Sequence, residues 1–226
     1  MSGLHIQHKR EFHLFRWLIL LAFLALLAAY AFYGVRWFKT GELSPLPLPV
    51  AAADGSVDES KLTRQQVAAY KVNATQPRFL IIDDFLVKAR VQQAGLNERK
   101  MFTMPSNLDD VVWFNKSVQP GTKGYGSSVI TGRNVGISRD GTFSKLQKLE
   151  KRDVIKIERG DGKVIKYEVT EIKEEPLEQF NKTGMTEVMT ATSSGKEELS
   201  LITDSGKWIP SQKEFDSRLI VRAVAK

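Results

Sequence analysis

The chain has no cysteine among its 226 residues. Disulfides, thiolate metal sites and thiol nucleophiles are therefore excluded together. Histidine is almost as scarce: His5, His8 and His13 are the complete set. An imidazole base or zinc ligand is thus excluded from everything beyond residue 13. No P-loop or zinc spacing is present, and no cofactor or metal is expected. Asp83-Asp84 and Asp109-Asp110 lack the spacing of a calcium loop and read as turn and cap residues. Gly124-Tyr125-Gly126 has no helix signature after it and reads as a loop. A charge excess is also missing from most of the chain, despite a formal net of +7. The first 40 residues carry five basic groups and one acidic group, and the other 186 carry 28 and 25. So balanced a domain has no electrostatic footprint for a nucleic-acid partner.

What is present begins with WLILLAFLALLAAYAFYGV, residues 17–35, a run of 19 without a charge. As a helix it extends about 28 Å, close to the hydrocarbon thickness of a bilayer. Arg16 and Arg36 bound it, with Trp17, Tyr33 and Trp37 placed for the interfaces. The chain then divides into a cytoplasmic tail (1–16), a transmembrane helix (17–35), a linker with a short helix (36–75) and a folded domain (76–226). A cleaved signal peptide competes with the anchor, since Ala29-Tyr30-Ala31 has the small-x-small form, but the apolar run continues past it. Three basic residues precede the span and two closely follow, which places the N-terminus inside and the domain outside the cytoplasm. In the linker, Pro45, Pro47 and Pro49 alternate with apolar residues and predict a stiff polyproline spacer. KLTRQQVAAYK, residues 61–71, predicts a short helix capped by Asp58, Glu59 or Ser60.

From Gln76 the pattern turns to short apolar runs between turn residues. RFLII (78–82) and FLVKARV (85–91) predict strands parted by Asp83-Asp84. Met104-Pro105-Ser106-Asn107 predicts a loop and a helix cap ahead of residues 108–112. Strands follow at 127–131, 154–158, 164–171, 199–203 and 219–224, with Gly160-Asp161-Gly162 the strongest hairpin signal. Trp113 reads as a core residue and Trp208 as a groove-rim or surface residue. Many short strands at regular spacing indicate an all-β barrel or sandwich.

Several of these segments resemble, in order, those of the sortase family, the membrane-anchored cysteine transpeptidases of bacterial surfaces. PRFLII (77–82) is similar to the opening strand, and DDVVWF (109–114) to the segment before a Pro-Gly loop, here Pro120-Gly121. SSVITG (127–132) resembles the strand leading to the family's histidine. FSKLQKLEKRDVIKI (143–157) and VIKYEVTEIKEE (164–175) are similar to the next pair of strands. LSLITDSGKWIPSQKEFDSRLIVR (199–222) resembles the final strand, loop and strand, which carry the cysteine and the arginine. The resemblance implies an all-β, eight-stranded barrel with short helices, whose groove holds Cys, His and Arg. It also implies attack of a thiolate on the Thr carbonyl of an LPxTG-like signal, with release by an amine.

Carried over residue by residue, the arginine position is Arg218, the cysteine position is Asp204 and the histidine position is Arg133, with Asn134 the alternative if the strand shifts by one. Thr203 and Ser205 flank the site. Arginine stays protonated and cannot serve as a base. What remains is a binding site for a peptide or surface-protein tail, with a transpeptidase or hydrolase using Ser205 or Asp204 as the alternative. In that alternative Asp204 acts as the base for Ser205 or itself attacks the carbonyl. The opposite, permanent charges of Arg133 and Asp204 predict that they face each other within about 6 Å, with Arg218 beside them.

Overall fold

The computed structural model describes residues 8–42, 57–122, 126–192 and 195–226. The polyproline expectation at Pro45, Pro47 and Pro49, and Gly124-Tyr125 of the loop reading, lie outside the described residues. Two compact units divide the chain, one holding the N-terminal helix and the other the β-domain.

Helix α1 (His8–Thr40) is longer than the charge-free run, because neither Arg16 nor Arg36 interrupts helical hydrogen bonding. Its residues from Leu14 to Thr40 are long and apolar enough to cross a membrane. Leu18, Ile19, Leu20 and Leu21 lie exposed at successive steps of about 100° around its circumference, so the span has no polar face to sit against water.

In the second unit, α2 (Arg64–Ala69) is shorter than the predicted 61–71. Its cap is Thr63, in a reciprocal capping box with Gln66, and not one of residues 58–60. The strands are β1 (Pro77–Ile82), β2 (Val87–Ala94), β3 (Asp110–Phe114), β4 (Ser127–Gly132), β5 (Val154–Arg159), β6 (Val164–Pro176), β7 (Glu198–Ile209) and β8 (Glu214–Ala225). They close into a barrel in the order β1-β2-β3-β4-β7-β8-β6-β5. The β2/β3 and β4/β7 pairs are parallel. The β1/β2, β1/β5, β3/β4, β5/β6 and β6/β8 pairs are antiparallel. The eight-stranded barrel expected from the sequence is therefore present. Closure leaves no open sheet edge.

Two local expectations fail for identifiable reasons. Residues 83–85 form a 3₁₀ turn, which takes up Phe85 and delays β2 to Val87. No helix starts at residue 108: Asn107 Oδ1 instead accepts the Asp109 amide at 2.8 Å, an Asx turn that feeds β3. Val111, Val112 and Trp113 are buried on both faces of that strand, a setting suited to β-branched and aromatic side chains.

The side chains divide by strand alternation. Leu80, Ile82, Ile130, Tyr167, Leu201 and Val221 fill the barrel interior. The outer face of β3, β4, β7 and β8 carries a second apolar cluster of Phe102, Phe114, Val129, Phe180, Val188, Ile202 and Ile220. Above this cluster run α3 (Leu177–Gln179), a π-helical turn (Phe180–Gly184) and α4 (Met185–Met189). Phe102 stacks edge-on against Phe114 at 5.1 Å, and its ring centre lies 6.3 Å from that of Phe180. Glu198, 1 % exposed, pairs with Arg222 at 3.4 Å and holds the loop between α4 and β7 through Thr192.

Candidate functional site

The site residues named from the sequence lie just past the end of β4 and within β7 and β8. In β7, Leu199 and Leu201 face the barrel interior and Ile202 faces the outer cluster. Alternation then aims Thr203 inward and Asp204 outward. In β8, Leu219 and Val221 point inward, which sends Arg218 to the outer face as well. Asp204 and Arg218 meet there at 3.2 Å, with side chains only 8 % exposed each. Arg218 also binds Glu214 at 2.5 Å and donates to the carbonyl of Ser217 at 3.0 Å.

Arg133 stands just beyond β4. The parallel register pairs Thr131 with Ile202, so two residues further along both chains come Arg133 and Asp204. Its guanidinium is nevertheless turned to the Pro105 carbonyl, to which Nε donates at 2.9 Å. The direct ion pair of Asp204 is thus with Arg218, and Arg133 contributes an attraction from farther away. Burial pushes the Asp204 carboxyl above the usual carboxylate range; Arg218 opposes this most, Glu214 adds to it, and Arg133 opposes it more weakly.

Ser205 lies on the other side of the strand from Asp204, as alternation requires. Its Oγ donates to Glu174 Oε1 at 2.7 Å. The carboxylate beside this hydroxyl is therefore Glu174, which the sequence reading did not name, and not Asp204. Thr203 is 1 % exposed, and its Oγ1 has no hydrogen-bond partner among the described residues. Asn134 contributes its backbone carbonyl to the Gly141 amide at 2.8 Å.

The polar loop expected between residues 203 and 218 is mostly strand. β7 continues to Ile209 and β8 starts at Glu214, so that turn residues occupy only the tip. Gly206, at φ +79°, makes the irregular step, and a Cβ there would overlap the Asp216 carboxylate. Asp216 Oδ1 accepts the Lys207 amide at 2.8 Å and so spans the two strands. Trp208 stacks edge-on against Phe215 at 5.2 Å near the tip, partly exposed. The arrangement is closed and internally paired: a buried carboxylate–guanidinium couple on one face, and a serine–carboxylate contact on the other.

A family model described as the Sortase domain matches residues 80–226. Among solved structures, the chain is similar to a lid mutant of sortase C1 from Streptococcus agalactiae, with 19 % identity over 79 % of each chain and a TM-score of 0.50. It is also similar to sortase C-1 from Actinomyces oris, with 23 % identity over 66 % of this chain and 72 % of that one and a TM-score of 0.47. A lid mutant of sortase A from Corynebacterium diphtheriae gives 22 % identity over 72 % and 76 %, with a TM-score of 0.49. At these identities the likeness concerns the fold. Among curated proteins, none matches the chain.

Proposed function

The chain belongs to the sortase family, and from that premise we propose that it is a membrane-anchored member that binds a peptide or surface-protein tail without joining it to an amine. One observation carries the reading: Asp204, which we assign to the position of the family's nucleophile, is locked at 3.2 Å against Arg218. Transpeptidation needs a deprotonated nucleophile and an acid for the departing amine. A carboxylate paired to a guanidinium is a poor nucleophile, and Arg133 neither accepts nor releases a proton near neutral pH. In this reading α1 anchors the chain, with its more basic N-terminal flank in the cytoplasm and the barrel outside.

The test is incubation of the full chain in lipid nanodiscs with LPxTG-like peptides and a triglycine acceptor. Saturable peptide binding with neither transfer nor hydrolysis is expected. The Ser205–Glu174 contact of 2.7 Å favours a second reading, hydrolysis through a serine activated by a carboxylate. Turnover abolished by both Ser205→Ala and Glu174→Gln would establish that reading and remove the first.

A further inference from the structure

Residues 57–62 lie across two loops of the barrel. Asp58 pairs in parallel with Asn107, and the Asn107 side-chain amide donates to Asp58 Oδ2 at 2.9 Å. Arg139 donates to the carbonyls of Glu59 at 2.7 Å and Ser60 at 3.1 Å, and binds Asp109 at 2.6 Å. Between these anchors the Glu59 carboxylate enters the tip of the loop that follows β4. There it accepts the backbone amides of Ile137 and Ser138 and the hydroxyl of Ser138. A Cβ at Gly136 would overlap the carboxylate, so glycine makes room for it.

The loop is shaped without Glu59. Phe143 donates to the Arg133 carbonyl at 2.9 Å, Gly141 to that of Asn134 at 2.8 Å and Gly136 to that of Arg139 at 2.8 Å. A bridge between Val135 and Asp140 completes the narrow ladder. The tip therefore offers two preset amides and a hydroxyl, the donor set of an anion-binding nest. Ile137 and Ser138 are exposed, so solvent reaches the donors and their carboxylate can exchange without unfolding the barrel. The same loop begins at Arg133, which adds positive charge at its base.

We propose that residues 136–138 form a binding site for a peptide carboxylate, occupied in the resting chain by Glu59 and exchanged for a carboxylate of the bound partner. This deepens the reading of the domain as a peptide binder and rests on it. The partner is thereby an acidic peptide, or one ending in a free carboxylate, and residues 57–62 compete with it. A tethered occupant acts at an effective concentration in the millimolar range, which weakens the apparent affinity of a competitor.

The experiment titrates the full chain, labelled with ¹⁵N at isoleucine and serine and held in detergent micelles. The probes are Ac-Gly-Glu-Gly-amide, Ac-Gly-Gly-Gly with a free C-terminus and, as control, Ac-Gly-Gln-Gly-amide. In Glu59→Ala, the Ile137 and Ser138 amide signals shift saturably with one or both carboxylate probes, and the responding probe identifies the source. The apparent affinity is about tenfold tighter than in the unmodified chain. Adding Ser138→Ala weakens it again by about tenfold, as expected for loss of one charge-assisted hydrogen bond. Glu59→Gln, which keeps the side-chain volume, serves if the alanine variant folds poorly. Absence of shifts in both variants, equal binding by the unmodified chain, or equal response to the glutamine probe would overturn the proposal. The probes carry no sorting signal and turnover is not read, so a catalytic result in the transpeptidation assay leaves this one standing.

Discussion

Replacing Arg218 with alanine should damage the fold far more than replacing Asp204 with asparagine. The two side chains are paired at 3.2 Å and equally buried, but their other contacts differ. Without Arg218, the Asp204 carboxylate is left buried near Glu214, and the cost is about 3–5 kcal/mol. Without the Asp204 charge, Arg218 keeps Glu214 at 2.5 Å and the Ser217 carbonyl at 3.0 Å, and an asparagine fills the same space. The expected loss for Asp204→Asn is about 1 kcal/mol or less. The pH dependence separates the two further. Burial raises the Asp204 carboxyl above its ordinary value, so protonation is favoured more in the folded chain than in the unfolded one. That contribution is fully present below the unfolded-state value and is lost as pH rises through the folded one. The stability of the unmodified chain relative to Asp204→Asn should therefore fall as pH increases across the acidic range. Urea unfolding of the full chain in detergent, followed by tryptophan fluorescence at several pH values, measures both effects. Asp204→Asn losing as much stability as Arg218→Ala, or a difference that is flat with pH, would refute the reasoning.

Phe180→Ala removes a side chain that is 2 % exposed in the outer cluster, and should cost about 3–5 kcal/mol in the same unfolding assay. Gly206→Ala places a β-carbon at φ +79° and into the Asp216 carboxylate, with an expected cost of about 1–3 kcal/mol. Asn107→Ala should raise the Asp58 carboxyl from about 2 towards its ordinary 3.8, since the Asn107 hydrogen bond is the main cause of its depression. The stabilisation from Asp58 is present above the unfolded-state value and lost as pH falls through about 2, so the variant should release residues 57–62 at higher pH, as read by carboxyl NMR titration.

Much of the barrel could be read because its strands alternate and its turns use the usual residues. Val154 to Arg159 and Val164 onward, joined across Gly160-Asp161-Gly162, form the expected hairpin. Trp113 is in the core, as read. What failed was governed by contacts distant in sequence. The Asn107 side chain suits either a helix cap or an Asx turn, and β2 decides the matter by pairing with Val111 and Val112. The extension of β7 past Asp204 was hidden because Ser205, Gly206 and Lys207 look like loop residues. Its support comes from Asp216 on the opposite strand, which accepts the Lys207 amide. Arg218 stands beside Asp204 as expected, while Glu214 on Arg218, the Pro105 carbonyl on Arg133 and Glu174 on Ser205 were not legible. Glu174 reaches Ser205 because β6 and β8 are neighbours, with Glu174 paired to Leu219, which no local pattern reveals.

The carboxylate at position 204 also bears on what the arginine at 218 can do. An arginine kept free to meet a substrate would need a weak or distant counter-charge. Here Arg218 is held by Asp204 at 3.2 Å and by Glu214 at 2.5 Å, and the nitrogen that meets Asp204 also donates to the carbonyls of Phe215 and Ser217. The charged groups at this end of the barrel are thus largely paired with one another. Breaking that couple would leave two buried charges without each other, at a cost that a short peptide could scarcely offset. Recognition is served better where donors already face solvent on a preformed loop. Ile137 and Ser138 meet that condition, and the group they hold is the carboxylate of the partly exposed Glu59. The Asp204–Arg218 couple and the carboxylate site proposed at residues 136–138 therefore occupy different parts of the chain beyond β4 and can be altered independently.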